Sequence, residues 1–190
     1  MNKILTAIFL LCITACGAPN QMDRGDHLQD SDVTNTTDET VEGDFVFRLV
    51  SEKGAYEVGE EINLYGELEY IGDKEEITIH HSSSAILFPM REQTRGYEID
   101  YPVNDIGLTT TLKKGSVTPY REKYAKSGGF SADQDPMDYV MFMEDFLNTD
   151  DFPPGNYIVH GVTQFSSDSG EDRDQQRFAI KATVNFKVID

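Results

Sequence analysis

The chain has 190 residues, with 34 Asp and Glu against 16 Lys and Arg and a formal net charge of −18. So acidic a surface repels nucleic acid and anionic lipid head groups, which argues against nucleic acid as a partner and specifies none. Two cysteines rule out a disulfide scaffold, and the length accommodates one ordinary domain and a linker.

Asn2 and Lys3 precede an almost unbroken apolar run over residues 4–13. That run is too short to cross a bilayer, which needs roughly 20 residues, but it fits the middle of a secretory signal. Ile13-Thr14-Ala15-Cys16 follows: one aliphatic residue, two small ones and a cysteine. This arrangement resembles the bacterial lipobox. The resemblance implies a signal peptide over residues 1–15, a lipid on the Cys16 thiol, and retention on the extracytoplasmic face of the cell membrane. Palmitate and other acyl chains contribute about 0.8 kcal/mol per buried methylene, so two or more hold firmly. Cys12 is the poorer acceptor because bulky Leu11 precedes it. Cleavage would remove Cys12 and lipidation would consume Cys16, leaving no thiol for a disulfide or a metal.

Residues 16–43 read as an acidic tether. Between Gly17 and Asp44 eight acidic residues stand against one basic residue, Arg24. Such a segment buries too little apolar surface to offset its ordering entropy, and its reach is roughly 30 Å. The domain is predicted over residues 44–190.

From Phe45 the apolar period becomes two. Phe45, Phe47 and Leu49 predict a first strand, and Ile62, Leu64, Gly66, Leu68 and Tyr70 a second. Gly72-Asp73 turns the chain into a third strand over residues 77–81. Pro89 marks residues 85–90 as an edge or a strand end. Residues 97–101, 107–112 and 120–125 are shorter strand candidates. Asp135 as N-cap and Pro136 at the first helical position start a helix, with Asp138 favoured in its first turn. Tyr139, Phe142, Met143, Phe146 and Leu147 form one apolar stripe that covers the sandwich or, alternatively, makes a methionine-rich docking face. Pro153-Pro154-Gly155 turns into a strand over residues 157–165. The last strand runs from Phe178 to Ile189 in strict alternation.

Serial strands with Gly and Pro punctuation and one helix predict a mainly all-β fold, an antiparallel Ig-like sandwich with an inserted short helix. The Pro153-Pro154-Gly155-Asn156-Tyr157 entry resembles the matching turn of many bacterial Ig-like surface modules. Together with Val58-Gly59-Glu60, the amphipathic strand and the Gly72-Asp73 turn, it also resembles the BsuPI-type proteinase-inhibitor family. The resemblance covers the first strands and the last two. It implies an exposed inhibitory loop, sought at residues 86–95 or 113–121.

Motifs of nucleophilic, metal-dependent or nucleotide-binding enzymes are not found, and neither a catalytic residue nor a cofactor is predicted. Ser82-Ser83-Ser84 beside His80-His81 invites a nucleophile–base reading, but adjacent strand residues point to opposite faces. His80 or His81 with His160 would make a metal site only if their strands are neighbours. Asp168, Glu171, Asp172 and Asp174 are weak Ca²⁺ candidates in a loop better read as a solvated tip. Lys113, Lys114, Tyr120, Arg121, Lys123, Tyr124 and Lys126 form a local inversion of charge, a candidate patch for an envelope protein or wall polymer. The expected function is a lipid-anchored, non-enzymatic binding module of the cell envelope. Proteinase inhibition and cation binding are the alternatives.

Overall fold

A computed structural model describes residues 35–168 and 175–190. The lipidation candidate Cys16, most of the tether, and loop residues Glu171, Asp172 and Asp174 lie outside that range.

Two sheets pack face to face. The smaller runs in the order β1 (Thr37–Glu42), β2 (Phe45–Ser51), β4 (Leu64–Tyr70) and β9 (Tyr120–Lys123), antiparallel throughout. The larger runs β3 (Ala55–Glu57), β12 (Lys181–Ile189), β10 (Gly155–Asp168), β5 (Glu76–Leu87) and β8 (Leu108–Lys113). Only β3 joins its neighbour in parallel. β11 (Gln175–Phe178) continues the line of β12 along β10, and β6 (Met90–Glu92) pairs with the start of β10 and with β7 (Tyr97–Ile99). The predicted all-β sandwich with one short helix is the observed architecture.

The period-2 residues are the core. Phe45, Phe47 and Leu49 on β2 and Leu64, Leu68 and Tyr70 on β4 face Ile79, Val159, Phe165, Val184 and Phe186 on the other sheet, all buried. At one end the Phe45 ring meets Phe165 edge-on at 4.9 Å and Phe178 at 4.7 Å. At the other end Tyr157 stacks on Phe186 at 5.2 Å. Two glycines let the sheets come this close. A Cβ on Gly66 would stand 2.8 Å from Ile86 Cγ2, and one on Gly161 would stand 2.8 Å from Leu49 Cδ2. Both are strand glycines placed by close approach rather than by a turn.

The ordered domain starts earlier than position 44. Residues 37–42, read from their acidity as tether, form β1 and pair with β2 from Thr37↔Val50 to Glu42↔Phe45. A two-residue turn with Gly43 at φ +58° joins them, so the hairpin supplies the hydrogen bonds that composition could not promise. β1 also bonds β12 through side chains: Thr183 N donates to Asp38 Oδ2 at 2.7 Å, and Thr40 Oγ1 donates to Lys181 O at 2.7 Å.

The helix α1 (Met137–Asn148) begins one residue later than predicted. Pro136 is its N-cap, and Asp135 instead accepts the Ser131 N–H at 2.6 Å. The stripe packs inward as expected, with Phe142, Met143 and Phe146 buried together with Val140. The Tyr97 hydroxyl donates to Asp138 at 2.9 Å, pinning the first turn to β7. Met137 and Met141 lie on the exposed side, so the buried stripe itself presents no methionine docking face.

The predicted last strand is broken. Between the β11 and β12 pairings, Thr163 holds the slip: its N–H donates to Ile180 O at 2.9 Å and its Oγ1 accepts Ile180 N at 3.0 Å. Thr163 is fully buried. Thr163→Val keeps the shape and removes the acceptor, orphaning a buried N–H. The expected cost is about 1–3 kcal/mol in urea unfolding, with an unchanged slope.

Candidate functional site

Several sequence-derived sites fall in described residues. The serine–histidine stretch comes first, because here β5 departs from its neighbour. β5 pairs with β10 at Thr163↔Ile86 and again at Phe165↔His81, so Ser82, Ser83, Ser84 and Ala85 bulge out opposite Gln164 alone. The detached backbone is held from the other sheet. Glu122 on β9 accepts the Ala85 N–H at 3.0 Å, and hydroxyls of Ser84 and Tyr120 also bond its carboxylate. Ser83 pairs with Asn104, its N–H donating to Asn104 O at 3.0 Å and its Oγ accepting Asn104 N at 3.0 Å.

No serine reaches a histidine in this arrangement. The Ser82 hydroxyl donates to Ser84 O at 3.0 Å. His81 Nδ1 lies 2.8 Å from Ser82 O, a carbonyl that only accepts, so Nδ1 carries the proton. His81 Nε2 takes Thr110 Oγ1 at 2.9 Å. The hydroxyls are spent on backbone and carboxylate, which makes this a braced bulge and not a nucleophile with its base.

A histidine metal site is overturned by register. The strands are neighbours, but His80 stands opposite Ser166, and His160 lies six positions away along β10. At ~3.3 Å per residue the separation is about 20 Å. His80 instead faces Asp168, with Nε2 3.5 Å from Oδ1. Among the described residues no three His, Cys, Asp or Glu side chains gather as metal ligands. The bulge does open a cleft of about 560 Å³, lined by His80, Gln164, Ser166 and Arg177 under a loop carrying Val103 and Asp105. Sequence reading missed it, because a four-for-one bulge leaves no mark in hydropathy.

The basic stretch is dispersed rather than gathered. Arg121 Nε donates to Glu67 Oε1 at 2.9 Å, and its guanidinium lies 4.3 Å from the Tyr65 ring centre. It ends a ladder of alternating charge across four strands in register, Glu39–Arg48–Glu67–Arg121. Arg48 reaches Glu39 through Nε at 2.9 Å and Glu67 through Nη1 at 3.0 Å. Hydrogen bonds to Glu39, and more weakly to Glu67, raise the Arg48 pKa, while Glu67 does the same for Arg121.

Tyr124 points into the core beside Phe88 and Phe152, and burial pushes its phenol well above the ordinary tyrosine range, with Tyr101 adding to the effect. Tyr120 is half-buried against the core and bonded to Glu122. Lys126 donates to Thr149 O at 3.0 Å and Asp151 O at 2.7 Å, with its ammonium over the Phe146 and Phe152 rings. Burial holds its pKa below the usual lysine value despite nearby Asp151, Asp150 and Asp145. Lys113, Lys114 and Lys123 remain exposed, and none forms an ion pair among the described residues.

No family model, curated protein or solved structure matches the chain. The site's logic therefore rests on its own contacts, and Glu122 is the contact to test. Glu122→Ala leaves the buried Ala85 N–H and the Tyr120 hydroxyl without this acceptor, while the Ser84 hydroxyl keeps Ile86 O. The expected loss is about 1–3 kcal/mol of stability, and the Ala85 amide should show faster hydrogen exchange than in the parent. Unchanged exchange at Ala85 would show that the bulge is held by something else.

Proposed function

We propose that the chain is an extracytoplasmic lipoprotein, anchored through Cys16, whose β-sandwich head is a non-enzymatic binding module of the cell envelope. The observation that carries the reading is Ile13-Thr14-Ala15-Cys16 closing a short apolar run, followed by an acidic stretch and then the folded head. The net charge of −18 supports it, since a strongly acidic head is repelled by anionic head groups and stands off the surface that holds it. The test is detergent-phase partition in a bacterial host. The parent should enter the detergent phase with a diacylglyceryl mass on a chain starting at Cys16, and Cys16→Ser should stay aqueous. An uncleaved, unmodified parent N-terminus in the cytoplasm would overturn it.

One observation favours a second reading, proteinase inhibition. Residues 86–95 fit the loop less well, because Ile86, Phe88, Met90 and Glu92 are buried and only the short turn 93–95 is exposed throughout. Residues 113–121 present Val117 fully exposed, on a turn braced by Ser116 N to Lys113 O at 3.3 Å and Ser116 Oγ to Thr118 O at 2.8 Å. A segment already held in one conformation loses less freedom when a protease binds it. Titration against extracellular proteases that cut after small aliphatic residues should give inhibition that Val117→Asp abolishes. No inhibition at micromolar concentration removes this reading.

A further inference from the structure

We propose that the free edge of β8 is a docking rail for an extended polypeptide segment whose N-terminal end is acidic, bound by antiparallel strand addition. The inference deepens the binding-module reading and rests on it for its biological setting.

Among the described residues the two sheets have six free edges. β3 and β7 are three residues long, and β9 and β11 four. β1 has six but carries Asp38, Glu39 and Glu42, and its side chains are spent on β12. Shortness and charge are the usual guards of an exposed edge. β8 has neither guard over its first five residues, Leu108-Thr109-Thr110-Thr111-Leu112. Its six residues offer a rail about 20 Å long.

The pairing with β5 fixes which groups point outward. Lys114 N donates to Glu75 O at 2.9 Å, which sets the phase of the ladder Glu76↔Lys113 through His81↔Leu108. Antiparallel pairs alternate, so Leu108, Thr110 and Leu112 bond β5, while Thr109, Thr111 and Lys113 turn their backbone groups away. Lys113 O is taken by Ser116 N. Among the described residues nothing bonds the N–H or C=O of Thr109 and Thr111. Two donor–acceptor pairs in register are what an added strand requires.

Charge selects the occupant and its direction. Exposed Lys113 and Lys114 close the rail at one end, and Asp105 lies just before the other. Glu76 stands opposite Lys113 but forms no ion pair with it among the described residues. An antiparallel strand would set its N-terminal residues beside the two lysines, so carboxylates belong there and uncharged β-branched residues after them. A second copy of this chain is disfavoured by like charge, −18 against −18.

The experiment is amide hydrogen exchange by NMR on the full chain, with two capped synthetic heptapeptides, Asp-Glu-Thr-Val-Thr-Val-Thr and its Lys-Lys counterpart. The acidic peptide should slow exchange at Thr109 and Thr111 by at least about tenfold and leave Thr110 and Leu112 as they were. The Lys-Lys peptide should not. Thr111→Pro removes only an outward N–H, which an edge tolerates, and should abolish the effect while Thr110 and Leu112 stay protected. Should that variant misfold, the double change Lys113→Glu, Lys114→Glu serves instead and should remove the preference for the acidic peptide.

No slowing at Thr109 and Thr111 overturns the proposal, and equal slowing by both peptides overturns its charge selection. Protection without peptide that grows with protein concentration assigns the edge to a second copy. Protection without peptide that is independent of concentration, and lost when Asp23, Asp26, Asp30 and Asp32 become Asn, assigns it to the chain's own acidic stretch. Either result overturns an external partner. The measurement does not involve Cys16, so its failure and a failure of anchoring are separate results.

Discussion

The backbone of β10 must find partners along both edges over fourteen residues, and the remaining strands are arranged to supply them. On one side β12 and then β11 do so, with a slip that the buried Thr163 hydroxyl repairs. On the other side β6 serves the first residues and β5 the later ones. β5 cannot stay in step throughout, and the serine bulge is where it yields. The cleft floored by Gln164 and Ser166 is thus a by-product of backbone accounting around one strand. Glu122 makes the detour tolerable by lending a carboxylate from the opposite sheet.

Charge is used with similar economy. Half-buried Arg48 and nearly buried Glu67 sit in the ladder from Glu39 to Arg121, where each ion has neighbours of opposite sign in register. Isolated surface pairs contribute little, but a continuous row specifies strand order and register, because a slip by one residue breaks every contact at once. The same ladder engages part of the basic stretch inside the domain. Arg121 is committed to Glu67, and Lys126 to the carbonyls after the helix. What remains of the charge inversion is Lys113, Lys114 and Lys123.

Elements with an apolar period were legible in the sequence. Phe45 to Leu49, Leu64 to Tyr70, the helix stripe and the two long C-terminal runs declare which residues face inward, and hydropathy is the force that puts them there. β1 was hidden because its side chains are mostly polar on both faces, so composition read it as tether. The signal that would have found it is Gly43-Asp44, a two-residue hairpin turn just before Phe45. The bulge, the cleft and the orientation of the outward Thr109 and Thr111 amides were not legible at all. They depend on which strand lies beside which, and at what register, and neither is encoded locally. The engagement of Arg121 and Lys126 was not legible for a related reason: their partners are far away in sequence.

The chain enters the described fold at Asn35, beside β12, where Asn35 N donates to Asn185 Oδ1 at 2.9 Å and Asn185 N to Asn35 O at 2.8 Å. Traction applied through Asn35 therefore meets its bonds to Asn185 and Thr183 first, and then β1, clasped by β2 along its length and by Asp38 and Thr40 against β12. Bonds to strands of both sheets thus stand between the incoming chain and the hydrophobic interior. Rupture under force is governed by the rate of unfolding, so a pull from that side is opposed by the clasp before it reaches the packed rings of Phe45, Phe165 and Phe178.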